Sequence, residues 1–158
     1  MRSGVRLTFD VGKARVGVAR CDAEAILAVP VVTLTRDRYG GDIDEAADLV
    51  AEYGAIEAIV GLPVSLGGKR TPSTRDARDW ARALARAITP VMVRLVDERL
   101  STVSAHQALH ASGRHEKDFR GVVDQAAAVV ILNQALEAER STGSPIGEPV
   151  TPTRRDSR

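Results

Sequence analysis

The sequence predicts an α/β fold in which a mixed five-stranded sheet carries helices on both faces. Two observations predict it. Three strand-like segments, 5–11, 16–22 and 25–34, come first and are joined by short turns, so neighbouring strands should run antiparallel. From residue 41 onward helical and strand patterns alternate, and this order is typical of parallel strands joined by helical crossovers.

The later elements follow from periodicity and from residues that start or stop helices. In chain order we expect a helix at 41–54, a strand at 56–61, a loop at 62–72, a helix at 72–88, a strand at 91–96, a helix at 101–113, a charged connector at 113–121 and a helix at 122–140. Gly54 suits a helix C-terminus, Pro72 a first helical turn and Ser101 an N-cap. Pro30 indicates that the third strand lies at an edge or contains a bulge.

Composition predicts one domain, at residues 1–140. Residues 141–158 are rich in Ser, Thr, Pro and Gly and have no apolar period, so we predict a disordered C-terminal tail. No apolar run is long enough to span a membrane, and we expect no signal peptide because a strand pattern starts close to the N-terminus. Cys21 is the single cysteine, which favours a reducing compartment, and we predict a cytoplasmic protein. We expect Cys21 to be an inert strand residue, with an intermolecular disulfide as the alternative.

Overall charge does not indicate a nucleic-acid-binding protein, because the formal net charge is +1. Any such role must depend on a local basic patch. Aromatic residues make up only 3% of the chain, which argues against a surface that stacks many bases.

Three separate segments each place a carboxylate near the end of an element. Asp10 ends the first strand, Asp97 and Glu98 follow the last strand, and Asp124 lies near the start of the last helix. Hard oxygen ligands gathered in this way suit Mg²⁺ or Mn²⁺. Neighbouring residues on a strand point to opposite faces, so only one of Asp97 and Glu98 should face the site, and alternation does not choose between them.

Each carboxylate also has a simpler interpretation. Asp10 is followed by Val11 and Gly12, so it could be an ordinary turn aspartate. Asp124 falls in the first turn of the helix predicted at 122–140, where a negative charge interacts favourably with the helix dipole. That helix is apolar on several sides, however, and the dipole only weakly explains a buried carboxylate.

Four motifs occur in the order and spacing of a known family. They are "LTFDVGKARVGVA" at 7–19, "IVGLP" at 59–63, "DERLSTVSA" at 97–105 and "VDQAAAVVILNQAL" at 123–136. Over roughly residues 4 to 138 the chain resembles the YqgF/RuvX-like family of ribonuclease H-like proteins, whose members are described as nucleases of pre-16S rRNA and as Holliday junction resolvases. The chain departs from many relatives at Lys13 and Ala14, which affects local phosphate contacts rather than the carboxylates.

The resemblance implies a ribonuclease H-like fold and a metal-dependent nuclease. Asp10, Glu98 and Asp124 would be the catalytic residues and would hold Mg²⁺ or Mn²⁺, with Asp97 supporting the loop. The implied role is hydrolysis at the 5′ end of pre-16S rRNA in ribosome biogenesis, and the close alternative is a resolvase of four-way DNA. A non-catalytic nucleic-acid or transcription-associated binding protein is the alternative from another class, and a nucleotide-binding actin-like domain is a weaker one.

Basic residues near the carboxylates are the candidates for contacting a structured nucleic acid. They are Lys13, Arg15, Arg99, Arg114, Lys117 and Arg120. The last three lie in the connector that leads to Asp124, and there phosphate contacts and simple solvation are equally plausible. A second basic stripe, formed by Arg75, Arg78, Arg82 and Arg86 on the helix at 72–88, is better explained as a solvated face partly paired with Asp76 and Asp79. A homodimer is compatible with the sequence.

Overall fold

A computed structural model of the chain describes residues 1–63, 71–97 and 119–152. The strands are β1 (Arg6–Val11), β2 (Arg15–Cys21), β3 (Ala28–Thr35), β4 (Glu57–Leu62), β5 (Met92–Asp97) and β6 (Glu148–Pro149). The helices are α1 (Gly41–Glu52), α2 (Pro72–Ile88) and α3 (Phe119–Thr142).

The strands form one mixed sheet in the order β3-β2-β1-β4-β5-β6. β1 pairs antiparallel with β2, and β2 with β3, while β1, β4 and β5 run parallel to one another. This arrangement confirms the predicted fold class. The two-residue β6, which pairs antiparallel with β5, is an additional strand that the sequence does not predict.

Helices cover both faces of the sheet, as predicted. On one face α1 and α2 bury the apolar side chains of alternate strand residues, among them Phe9, whose ring lies 5.3 Å from that of Trp80. On the other face α3 packs Ala128, Ile131 and Leu132 against the sheet. Alternation along each strand therefore sorts the residues into an α1/α2 face and an α3 face.

Gly54, Pro72 and Pro30 lie at the kinds of position that the sequence predicts for them. Gly54 follows α1 with a φ of +57°, which suits a glycine at a helix end. Pro72 is the first residue of α2, and Thr71 caps the helix through its hydroxyl and the backbone N–H of Thr74. Pro30 lies in the edge strand β3 opposite Ala19, beside an irregularity in the pairing. Both interpretations of Pro30 therefore hold.

The described part of the predicted tail, residues 141–152, contains the end of a helix and a short strand, contrary to the predicted disorder. Helix α3 continues to Thr142, and β6 pairs with β5 across Leu95 and Glu148. The backbone N–H of Val150 donates to the carbonyl of Val93 at 2.8 Å, and Val150 is buried. The prediction failed because a two-residue edge strand has no detectable period and needs only backbone pairing. Residues 153–158 lie outside the described residues.

Helix α3 begins at Phe119, three residues earlier than predicted, so the end of the expected connector is helical. The helix expected at 101–113 with its cap Ser101, and connector residues 113–118, lie outside the described residues. None of the helices in the described ranges has the length and apolar character needed to cross a membrane. Cys21 is free and fully buried, in keeping with the strand role expected for it.

Candidate active site

One cross-strand row of the sheet contains Asp10. In the register of β1, β2 and β3, Asp10 is paired with Gly17 and Gly17 with Thr33. Paired residues on adjacent strands point to the same face of a sheet. Ala19 and Cys21, which alternate with Gly17 along β2, pack against α3, so the side chain of Asp10 points to the α3 face. Asp10 is half-buried there.

Helix α3 crosses the sheet directly over this row. A Cβ added to Gly17 would lie 2.1 Å from the carbonyl carbon and oxygen of Asp124, so only a glycine lets the helix backbone approach this closely. The side-chain amide of Gln125 donates to the hydroxyl of Thr33 at 2.8 Å. Asp10 and Asp124 are thereby held on the same face, at the same level of the sheet, from elements far apart in the chain.

The carboxylate of Asp124 forms an ion pair with Arg15. Arg15 Nε donates to Asp124 Oδ2 at 2.9 Å, and the two side chains are 37% and 19% exposed, respectively. Asp124 is the sixth residue of α3, beyond the first turn in which the helix dipole is effective. The simpler interpretation of Asp124 as a first-turn residue is therefore wrong, because it depended on a later helix start.

Asp97 lies on the opposite face from Asp10. It is paired with Leu62 on β4, and Leu62 packs against the core beneath α1 and α2. Val96, the preceding residue, packs against α3 instead. Asp97 therefore does not point to the α3 face. Alternation in the sequence had left open whether Asp97 or Glu98 does so. Glu98 lies outside the described residues.

The donor set on the α3 face fits a divalent metal ion in its chemistry. Asp10 and Asp124 supply hard carboxylate oxygens, which Mg²⁺ and Mn²⁺ prefer. Within residues 1–63, 71–97 and 119–152, no group of three or more His, Cys, Asp or Glu side chains is placed to hold a metal ion. Two of the three predicted ligands lie in that part of the chain.

The predicted phosphate-binding residues are described only in part. Lys13 lies in the turn between β1 and β2 and lines a cavity of about 340 Å³ together with Ser73 and Asp76. Arg15 contacts Asp124 instead of standing free in solvent. Arg99, Arg114 and Lys117 lie outside the described residues, and Arg120 is described only as backbone within α3.

The basic stripe on α2 is partly neutralised, as expected, by one of the two predicted partners, Asp79, and by Glu148, which was not predicted. Arg82 lies 3.5 Å from Asp79, and Arg78 Nη1 lies 2.8 Å from Glu148 on β6. Asp76, which the sequence suggested as a partner for the stripe, instead binds Arg36.

Arg36 is a residue whose role the sequence did not reveal. Its guanidinium donates to the carbonyl of Gly12 at 2.7 Å and to Asp76 at 2.8 Å, and it lies 3.2 Å from Asp42. The hydrogen bond from Arg36 lowers the pKa of Asp76 below its usual value. Arg36 therefore ties the turn after Asp10 to α1 and α2. Its only signal in the sequence is a position just after a strand.

A second missed feature is a buried ion network at the opposite end of α3. Arg6, on the same face of β1 as Asp10, is 1% exposed and lies 3.0 Å from Glu139. Arg2 reaches both Glu139 and Glu57, at 2.8 and 3.2 Å. Charged residues at core-facing strand positions could have signalled this network. It fixes the C-terminal half of α3, while Gly17 and Thr33 fix the N-terminal half.

Comparisons with known proteins agree with the four motifs. A family model described as "RuvX: Holliday junction resolvase" matches residues 4–138. Proteins named "Putative pre-16S rRNA nuclease" are similar over most of their length. The one from Kineococcus radiotolerans is 53% identical over 92% of this chain and 78% of its own length. The one from Streptomyces coelicolor is 53% identical over 95% and 90%, respectively.

A solved structure shares the fold. The RuvC protein of Thermus thermophilus, described in complex with a Holliday junction substrate, superimposes with a TM-score of 0.55 at 16% identity, over 92% of this chain and 99% of that one. At this identity the likeness concerns the fold alone. The family model covers most of the chain and the relatives exceed half identity, which confirms the nuclease family implied by the motifs. The chain belongs to the RuvX family.

Proposed function

We propose that the protein is a divalent-metal-dependent nuclease that hydrolyses phosphodiesters in structured RNA, acting in the cytoplasm on the 5′ end of pre-16S rRNA. Membership of the RuvX family supports the reaction class, and the name shared by relatives about half identical to this chain supports the substrate. The observation that carries the proposal is the alignment of Asp10 and Asp124 on one face of the sheet.

In this proposal the chain's own residues bind and orient the reacting groups. Asp10, Asp124 and Glu98 hold the metal ion, which when bound supplies Lewis-acid polarisation of the phosphodiester. Glu98 is preferred over its neighbour because Asp97 lies on the opposite face, and alternation along an extended strand would return the next side chain to the α3 face. Lys13 and the basic residues around the site contact substrate phosphates.

Four-way DNA is the second candidate substrate. The description of the matching family model favours it. The same carboxylates would serve, because hydrolysis of RNA and of DNA requires the same charge stabilisation at the phosphate. Only the recognition of sugar and of branch geometry would differ.

The test is cleavage of a pre-16S rRNA 5′ fragment and of a four-way DNA junction, with and without Mn²⁺. We expect wild-type protein to cut the RNA and Asp10→Asn, Asp124→Asn and Glu98→Gln to be inactive, while each variant keeps its fold. Asp97→Asn is the matched control, because it removes a neighbouring charge from the opposite face, and it should stay active. Preferential cutting of the junction would favour the second candidate, and binding without cleavage would favour a non-catalytic protein.

A further inference from the structure

The ion pair between Arg15 and Asp124 connects two roles that the proposed function keeps separate. Asp124 is proposed to hold a metal ion and Arg15 to contact nucleic acid. Arg15 Nε nevertheless lies 2.9 Å from Asp124 Oδ2. A guanidinium so close to a carboxylate occupies the position that a bound cation would take. It also neutralises the negative charge that would attract the cation.

We propose that Arg15 is the internal counter-ion of this site: it neutralises Asp124 until a divalent cation displaces it, and its release makes its guanidinium available to a substrate phosphate. This inference rests on the proposed function and concerns how that site is regulated.

The local charges support displacement rather than coexistence. Asp10 and Asp124 lie on the same face, and two carboxylates without a cation would repel each other. Arg15 relieves that repulsion in the metal-free protein. An arriving divalent ion is attracted by both carboxylates but repelled by Arg15, so the ion and the Arg15–Asp124 contact oppose each other.

The position of Arg15 allows it to leave. It is the first residue of β2, next to the turn that contains Lys13, and its side chain is 37% exposed. Its long side chain can therefore rotate into solvent without a change in the backbone pairing of β2. A guanidinium turned outward beside Lys13 would present a planar donor to a phosphate, which arginine binds well.

Displacement couples the binding of metal to the binding of nucleic acid. If the cation releases Arg15 from Asp124 and a substrate phosphate then binds the Arg15 guanidinium, each ligand strengthens the binding of the other by the same factor. Removing the Arg15 charge should therefore tighten metal binding in the absence of nucleic acid and abolish this mutual strengthening.

Calorimetric titration of Mn²⁺ into the nucleic-acid-free protein tests the inference. We expect Arg15→Met to bind Mn²⁺ about two- to fivefold more tightly than wild type, the range expected from a partly exposed ion pair. Arg20→Met is the matched control. It removes the same charge from the same strand, but the Arg20 guanidinium lies on the other face, 5.2 Å from the centre of the Tyr53 ring. Arg20→Met should bind Mn²⁺ as wild type does.

Further variants separate the inference from the proposed function. Arg15→Lys keeps the charge and should restore wild-type affinity, and Arg15→Gln replaces Arg15→Met if the latter does not fold. Equal Mn²⁺ affinity in wild type and Arg15→Met, or weaker affinity in the variant, overturns the counter-ion role while leaving the metal site intact. Failure of both proteins to bind Mn²⁺ overturns the metal site as well. Binding by Arg15→Met alone supports the inference in its strongest form.

Discussion

Gly17 and Asp124 are in direct backbone contact across the interface between β2 and α3. A Cβ at Gly17 would lie 2.1 Å from the carbonyl carbon and oxygen of Asp124, and 2.7 Å from the amide nitrogen of Gln125. These distances are too short for any side chain, and the obstacle is helix backbone rather than a movable side chain. Because Gly17 is paired with Asp10, this contact sets the level at which Asp124 meets Asp10.

Gly17→Ala should therefore disturb the site more than it disturbs the fold. The added methyl group must push α3 away from the sheet, and overpacking of this kind costs about 1 to 3 kcal/mol. The separation of Asp124 from Asp10 would change at the same time. We expect the increase in melting temperature produced by Mn²⁺ to be lost in this variant, as measured by thermal unfolding with and without the ion.

Val18→Ala provides the control for this prediction. Val18 is the next residue on β2 and is fully buried in the core on the α1/α2 face, so its truncation costs a comparable amount of stability. The Val18→Ala protein should keep the Mn²⁺ effect. If both variants lose it, general destabilisation and not the position of α3 explains the result.

Asp124→Asn should lower stability slightly in the absence of metal. The acidic residues alone predict the opposite, because removing a carboxylate relieves repulsion from Asp10. Arg15 reverses the expected change in stability from a gain to a loss, since the variant leaves the Arg15 guanidinium without the carboxylate of Asp124. Because this pair is partly exposed, we expect a loss of at most about 1 kcal/mol in the free energy of unfolding. Urea denaturation in a chelating buffer measures it.

With saturating metal the same variant should differ strongly from wild type. A ligand at about 100 times its Kd stabilises a protein by about 2.7 kcal/mol, which for this size raises the melting temperature by roughly 5 to 10 °C. Wild type should show this increase and Asp124→Asn should not. An equal increase in both proteins would exclude Asp124 as a ligand.

The fold could be predicted from the sequence because its main elements have strong periodic patterns. Strand alternation in β1 and β2, and the apolar face of α2 around Trp80 and Leu84, follow from the burial of one face. β6 escaped prediction because two residues show no period and its stability comes from backbone pairing with β5. The start of α3 was misplaced because Arg120 and Gly121 interrupt the apolar pattern.

The site was predictable in composition and not in geometry. Asp10 and Asp124 stand out as carboxylates beside apolar runs, but their alignment depends on the register that pairs Asp10 with Gly17. The register of strands depends on long-range packing and cannot be read from one segment. For the same reason the contact of Arg15 with Asp124, 109 residues apart in the chain, left no local signal.

Removing residues 141–158 should destabilise the protein. The deletion removes β6, the buried Val150 and the ion pair of Arg78 with Glu148. Burial of one valine side chain is worth about 1.5 to 3 kcal/mol, so we expect the melting temperature to fall by roughly 4 to 10 °C. A chain that ends after Pro152 is the matched control and should melt within about 2 °C of wild type. If the chain that lacks residues 141–158 melts at the same temperature as wild type, β6 contributes nothing to stability.

The ionisation of Glu139 should make the stability of the protein depend on pH. The hydrogen bond from Arg2, with help from the charge of Arg6, lowers the pKa of Glu139 from its usual value of about 4.5 to about 2. A carboxyl whose pKa is lower in the folded protein stabilises it above the unfolded pKa and loses that contribution as pH falls through the folded value. The window for this loss therefore runs from about pH 4.5 down to about pH 2.

Glu139→Gln tests this dependence. Near neutral pH the variant should lose about 3 to 5 kcal/mol, because it leaves Arg6 buried without its charged partner. The difference from wild type should shrink as the pH falls through that window, as measured by urea denaturation at several pH values. Glu137→Gln, on the same helix with a side chain 71% exposed and paired only at the surface with Arg140, should show no such trend. A constant difference between wild type and Glu139→Gln would contradict the assigned pKa.

Nucleic-acid affinity should depend more on the basic connector at 113–121, whose last residues form the start of α3, than on the stripe of α2. Within the stripe, Arg78 and Arg82 already have acidic partners at 2.8 and 3.5 Å, so a phosphate would have to displace a carboxylate to reach them. The connector cations Arg114, Lys117 and Arg120 lead along the chain directly to Asp124. A substrate whose scissile phosphate lies at Asp10 and Asp124 should therefore meet the connector first.

Salt titration of binding distinguishes the two surfaces. Neutralising Arg114, Lys117 and Arg120 together should weaken binding of all sequences alike and flatten the slope of log K against log salt by up to about three units, because each lost phosphate contact removes nearly one released counterion. Neutralising Arg75, Arg78, Arg82 and Arg86 should change the slope less, although it removes one more charge, because charges already paired within the protein release fewer counterions on binding.

Glu98→Gln should keep the wild-type slope while losing cleavage, since a metal ligand does not neutralise phosphates by itself. If the stripe variant loses the larger slope, the nucleic acid follows α2, and the cavity of about 450 Å³ lined by Arg75, Arg78 and Arg82 becomes its path.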